Sequence, residues 1–237
     1  MKKIFLALDN LEKKEILELI KELKEEVMFK INDSFLKFGP ELIEEIHELG
    51  GEVFLDLKFH DIPNTVGNYA KATAEKKVFM FNVHCLGGIE MMKKAKESAE
   101  QICKEKNLRK PLIVGVTILT SMDTQALKEE LKVNLSVEEM VKHLALNAKK
   151  AGLDGVVCSP KEIELVKKAC GKEFLCVTPG VRPEYSSTDD QKRTLTPKEA
   201  IQKGADFLVI GRPIIQAKKY DMTRKQAAEK ILQDIFE

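Results

Sequence analysis

Residues 54–65 read Phe54-Leu55-Asp56-Leu57-Lys58-Phe59-His60-Asp61-Ile62-Pro63-Asn64-Thr65. An apolar run that acquires charge at its C-terminal end and then meets Pro63, with Asn64 or Thr65 placed to cap or open a helix, reads as a buried strand feeding a helix. The same arrangement recurs along the chain. Strand-like runs occur at Ile4–Leu8, Val27–Ile31, Glu52–Asp56, Val78–Val83, Leu112–Thr117, Gly155–Cys158, Phe174–Val177 and Phe207–Ile210. Several are almost wholly apolar, as strands covered on both faces of a parallel sheet must be. Between them Lys13–Lys24, Leu42–Leu49, Ile89–Lys104, Val137–Lys150 and Pro160–Ala169 repeat apolar residues every three or four positions, the period of an amphipathic helix. Eight such units in 237 residues predict a (β/α)8 barrel forming a single domain over residues 1–237. A doubly wound open sheet is the alternative. No internal repeat, low-complexity tract or linker stands out.

Composition narrows the function. With 39 Lys+Arg against 38 Asp+Glu, the chain lacks the basic excess of a general nucleic-acid binder. No apolar stretch approaches the roughly 20 residues of a membrane span. The opening MKKIFLALDN has an apolar run broken by Asp9, which predicts no signal peptide. Five cysteines, Cys85, Cys103, Cys158, Cys170 and Cys176, form no C-x-x-C pair, so reduced thiols in a cytoplasmic setting are expected. Cys158 and Cys176 lie in apolar runs and read as small buried hydrophobes.

A barrel places its chemistry at the C-terminal ends of its strands. Those ends carry Asp9, Lys30, Asp56 with Lys58, His84, Thr117–Ser121, Cys158-Ser159, Pro179-Gly180 and Gly211-Arg212. Strand alternation puts Asp56 and Lys58 on one face, toward the barrel mouth. A surface ion pair would be worth little, but the apolar Phe54, Leu55 and Leu57 around this one argue against a solvated face. His60 reads as a packing histidine. After the seventh strand comes a long connection, Pro179 to Arg193, of a length that is usually functional or disordered. In (β/α)8 barrels the loops after strands seven and eight often bind phosphate, and Arg212 can grip a phosphate with a planar fork of donors.

The Asp56-x-Lys58-x-x-Asp61 motif with Ile62-Pro63-Asn64-Thr65 resembles the signature of the orotidine 5′-phosphate decarboxylase family. Ala7-Leu8-Asp9, Phe29-Lys30, Asn82–Gly88, Val116–Ser121, Asp154–Ser159, Val177–Pro183 and Val209–Ile214 follow in the family's order, so the resemblance spans nearly the whole chain. It implies an alternating array of Lys30, Asp56, Lys58 and Asp61, with Asp61 entering the neighbouring subunit's site in a homodimer. It also implies decarboxylation of a nucleotide without cofactor or metal, completing uridine 5′-phosphate synthesis. Lys58 would stabilise carbanion character at the ring carbon losing carbon dioxide and then protonate it. Asp56 would face the substrate carboxylate, a like charge relieved as carbon dioxide leaves. Two charges 4 Å apart at an effective dielectric of 20 interact by about 4 kcal/mol, against barrier reductions that reach ~20 kcal/mol, so repulsion alone does not suffice. The resemblance places Lys30 and Asp9 near the ribose and base, and Thr120 and Ser121 near the pyrimidine. Arg182, Gln191, Gly211 and Arg212 fall at the phosphate, and Thr65 and Pro179 complete the substrate contacts. Phosphate binding would then assist chemistry at the base.

The chain departs from the family pattern at Ile31-Asn32-Asp33-Ser34, where Asp33 raises the question of a metal site. No second ligand stands at metal-binding spacing, so a surface or capping role is expected. The rival reading is the sister group of sugar-phosphate decarboxylases and aldolases. Its metal-dependent decarboxylases carry an acidic residue where this chain has Lys30.

Overall fold

The computed structural model describes residues 2–186 and 195–236. Eight parallel strands close a barrel in sequence order: β1 Ile4–Ala7, β2 Met28–Ile31, β3 Val53–Phe59, β4 Met80–His84, β5 Leu112–Val116, β6 Gly155–Val157, β7 Leu175–Pro179 and β8 Phe207–Ile210. The doubly wound alternative is excluded by the β1–β8 pairing, Phe5 against Val209. Helices α1 Lys13–Leu23, α2 Asp33–Phe38, α3 Glu41–Glu48, α4 Pro63–Glu75, α5 Gly88–Glu105 and α6 Thr124–Glu129 follow the early strands. Then come α7 Val137–Lys150, α8 Ile163–Cys170, α9 Pro197–Gln202, α10 Arg212–Ile215 and α11 Arg224–Phe236. All eight expected strands are present. β3 runs three residues past its expected end, and β7 takes in Pro179.

Strand alternation divides the core in two. Phe29, Ile31, Val53, Leu55, Phe81 and Val83 point outward into the layer between sheet and helices. Phe5, Met28, Phe54, Met80, Val114, Val177 and Phe207 fill the barrel interior, where Phe5 packs tilted against Phe54 and Phe207 at 5.1 and 5.3 Å between ring centroids. Two residues further along β2, β3 and β4 the next inward positions are Lys30, Asp56 and Asn82. The interior thus changes from apolar to charged and polar toward the C-terminal end.

The return from helix to strand is built the same way twice. Ser136 with Glu139 forms a capping box that starts α7, and Thr196 with Glu199 does so for α9. Each helix stops at a left-handed glycine, Gly152 (φ 84°) or Gly204 (φ 104°). The Leu153 and Ala205 N–H groups then bond back to Ala148 and Ala200, the Schellman pattern. Two residues after each glycine an aspartate clamps the preceding strand. Asp154 Oδ2 accepts the Ile113 N–H at 2.8 Å, and Asp206 Oδ2 accepts that of Cys176 at 2.8 Å. A lysine completes each clamp, Lys96 on Asp154 at 2.9 Å and Lys167 on Asp206 at 2.7 Å. A partial third copy, Gly50-Gly51-Glu52, ends α3. There the longer side chain turns outward, and Arg109 donates to both Glu52 oxygens, at 2.9 and 2.7 Å. These repeated junctions are absent from the sequence reading, although their signal, a capping box and then Gly-x-Asp before an apolar strand, is visible in it.

Candidate active site

The C-terminal ends of β1 to β3 assemble a row of alternating charge. Lys30, only 5% exposed, donates to Asp9 Oδ1 and Oδ2 at 3.0 and 3.2 Å and stands 3.2 Å from Asp56 Oδ2. Lys58 Nζ reaches Asp56 Oδ1 at 2.8 Å. Asp56 is therefore bracketed by two ammonium groups, and the order is Asp9, Lys30, Asp56, Lys58. Unlike Lys30, Lys58 is open to the barrel mouth, with a side chain 34% exposed.

Asp56 and Lys58 converge as expected, but not by simple alternation. Lys58 has φ 52°, in the left-handed region that side chains with a Cβ avoid, and the β3–β4 register shifts between Leu55 and Phe59. Its backbone N–H donates to the Asn82 side-chain oxygen at 2.8 Å, while Asn82 Nδ2 donates to Asp56 Oδ1 at 2.6 Å. Asn82, 1% exposed, lies in a motif quoted above but is not among the expected site residues. Its signal is its register, one inward step beyond Met80.

Asp61 does not join the row within this chain. It is exposed on the β3–α4 loop, where its Oδ1 accepts the Ile62 N–H at 2.6 Å. Pro63 opens α4, which leaves Asn64 and Thr65 in the first turn rather than at the cap. His60 stacks on His84, 5.2 Å between centroids. Burial, then His60 and Lys58, push His84 below its ordinary imidazole value. Asp33 accepts the Asn10 N–H at 3.3 and 3.1 Å and pairs with Lys37 at 3.0 Å. Burial opposes its charge, yet these bonds outweigh it and hold the carboxyl below its usual range. Asp33 thus secures a left-handed Asn10 (φ 57°) next to Asp9, a loop-holding role. Among the described residues no three His, Cys, Asp or Glu side chains are gathered as metal ligands. All five cysteines are free and buried, and burial pushes the Cys85 thiol up to about 12.

Across the same mouth the loops after β5 to β8 enclose a cleft of about 620 Å³, lined among others by Thr120, Ser121, Ser159, Pro179, Gly180 and Arg212. Arg212 opens α10 directly after the Gly211 cap. The long connection after β7 is closed at its base, where Val181 bridges Leu195 and the Arg182 N–H donates to Leu195 O at 2.9 Å. Tyr185 O–H reaches Pro213 O at 3.5 Å, tying the connection to α10. Gln191 lies outside the described residues.

Fold and site together define a (β/α)8 barrel with a charged array on one side of its mouth and an arginine-bearing cleft on the other, an architecture suited to anionic substrates. The family model described as orotidine 5′-phosphate decarboxylase / HUMPS matches residues 2–231, and the chain belongs to that family. It is 51% identical over 210 residues to an orotidine 5′-phosphate decarboxylase of Geotalea uraniireducens, covering 88% of this chain and 84% of the relative. A second, from Geobacter sp. (strain M21), is 45% identical over 237 residues, covering 99% and 96%. The crystal structure of orotidine 5′-phosphate decarboxylase from Lactobacillus acidophilus superposes with a TM-score of 0.86 at 35% identity, covering 99% of each chain.

Proposed function

We propose that this protein decarboxylates orotidine 5′-phosphate to uridine 5′-phosphate and carbon dioxide in pyrimidine synthesis, without cofactor or metal. The observation that carries the reading is the ordered row Asp9–Lys30–Asp56–Lys58. Its second member is a cation, where the metal-dependent sugar-phosphate branch is expected to carry an acid. As the bond from C6 to the carboxylate breaks, the electron pair stays on C6. The Lys58 ammonium stabilises that charge and gives C6 its proton, to be replaced from solvent. Asp56 repels the departing carboxylate and holds Lys58, while Lys30 and Asp9 orient the row and meet the ribose. Thr120, Ser121 and Pro179 face the nucleotide from the cleft, and Arg182, Gln191, Gly211 and Arg212 hold the phosphate.

The working unit in this reading is a homodimer, with Asp61 and Thr65 completing the partner's site. Support comes from the surface around Asp61. Ile62 is 67% exposed and Leu86, on the adjoining β4 loop, 42% exposed, an apolar area that association would cover. A cytoplasmic location fits the reduced cysteines, and no described helix is long and apolar enough to cross a membrane.

Ultraviolet absorbance of orotidine 5′-phosphate in excess chelator tests the function, with a Lys58→Ala variant alongside. Rapid substrate loss is expected with the wild type alone. No turnover, or turnover only with added Mg²⁺, overturns the reading in favour of a sugar phosphate. Equal activity in Lys58→Ala overturns the mechanism.

A further inference from the structure

Lys58 occupies a backbone conformation that is strained for a non-glycine residue, and it does so in a strand, where its N–H has left the regular ladder. One buried side chain meets both needs created there. The Asn82 oxygen accepts the displaced Lys58 N–H, and its nitrogen donates to the Asp56 oxygen that also binds Lys58 Nζ. Only one orientation of the amide satisfies both partners, since a flipped amide would set N–H against N–H and oxygen against carboxylate. Asp56 is then held on both oxygens, Oδ1 by Asn82 and Lys58, Oδ2 by Lys30.

We infer that Asn82 is a positioning residue for the decarboxylation, a bracket from β4 that holds the left-handed Lys58 and aims its ammonium along Asp56. The inference rests on the function proposed above. Asn82 stands below the mouth, buried beneath the two charges, and acts through them. Its loss therefore acts on the chemical step more than on nucleotide binding, which the phosphate cleft serves.

The test compares wild type, Asn82→Ala and Asn82→Asp with orotidine 5′-phosphate. Asn82→Ala is expected to lower kcat about a hundredfold while KM stays within about threefold, since small misplacements of reacting groups cost that much. Asn82→Asp keeps the acceptor for the Lys58 N–H but sets a carboxylate against Asp56. Its kcat relative to wild type should be poorest near pH 8 and recover toward pH 5.5, where the introduced carboxyl is protonated and donates as the amide did. Lys30 and Lys58 face the same carboxylate, and His84 stands beside Lys58, so the wild-type profile is the reference. A kcat of Asn82→Ala within about threefold of wild type, or an Asn82→Asp profile parallel to wild type, overturns the inference. Should Asn82→Ala fail to fold, the near-isosteric Asn82→Asp decides. Should the wild type itself leave the nucleotide intact, the proposed function falls and the bracket is judged by crystallography of the better-folded variant. Lys58 still left-handed and in contact with Asp56 would then overturn it, and a displaced Lys58 would support it.

Discussion

The barrel uses lysine–aspartate pairs at both ends and makes them do opposite things. At the N-terminal rim Asp206 takes a backbone N–H and Lys167, and Lys167 donates again to the carbonyls of Lys172 and Phe174 at 2.8 and 2.9 Å. Every strong donor has an acceptor there, and the aspartate lies in the turn just before β8. At the C-terminal mouth Lys58 has one carboxylate partner, a strained backbone and an opening to solvent. A saturated pair stabilises the fold. An unsaturated pair, held in place by other groups, keeps capacity for a ligand. The end of the barrel at which it stands, rather than residue type, decides which it becomes.

The sharpest way to separate the two ends is Lys58→Gly. It removes the cation but suits a positive φ. We expect kcat/KM to fall by about 10⁴-fold, ~5.5 kcal/mol, while Tm is no lower than wild type. A Tm drop would show that the upper pair also stabilises. Asp206→Ala should do the reverse. It leaves Lys167 without its carboxylate and the Cys176 N–H without its acceptor, at a cost of about 2–4 kcal/mol. That corresponds to a Tm lowered by roughly 5–12 °C in calorimetry, with kcat within about twofold of wild type. A large loss of kcat would break the division of labour.

The smallest effect concerns two histidines, one at each end. His84 at the mouth and His47 near the lower rim are both lowered from an ordinary value of 6.5, chiefly by burial. A depressed histidine means that the unfolded chain binds more protons, so stability rises with pH in that range. It is therefore lost as pH falls from about 7 through 6.5 and below. Tm measured between pH 7 and 5 should slope downward on acidification, and His47→Gln should flatten the slope without altering the pH dependence of kcat. Carboxylates held low, such as Asp33, enter only at more acidic pH.

Much of this was legible in the residues. Strands such as Phe207–Ile210 announce themselves because burial on both faces removes polar residues, and Lys30 and Asp56 stand out as charges ending such runs. Asn82 gives no such signal, because an amide in a strand acquires meaning only through what lies across the barrel from it. Nor can the left-handed Lys58 be read, since the usual mark of positive φ is glycine and here neighbouring bonds impose it. The strand alternation that brought Asp56 and Lys58 together therefore reached the right pairing by the wrong backbone. Short helices such as α2, α6 and α10 span too few turns to show a period. Asp33 is opaque for the same reason as Asn82, since its partner Asn10 lies 23 positions away.

The twice-built junction at the lower rim has a consequence for how such a barrel changes over generations. Each capping box, glycine and aspartate clamp is a self-contained cassette, and separate cassettes contribute nearly additively to stability. A lineage moving to hotter or colder surroundings can edit them one at a time, or complete the partial copy at Glu52, without touching the geometry of the opposite face. Adaptation to temperature and inheritance of chemistry are written in different parts of the chain.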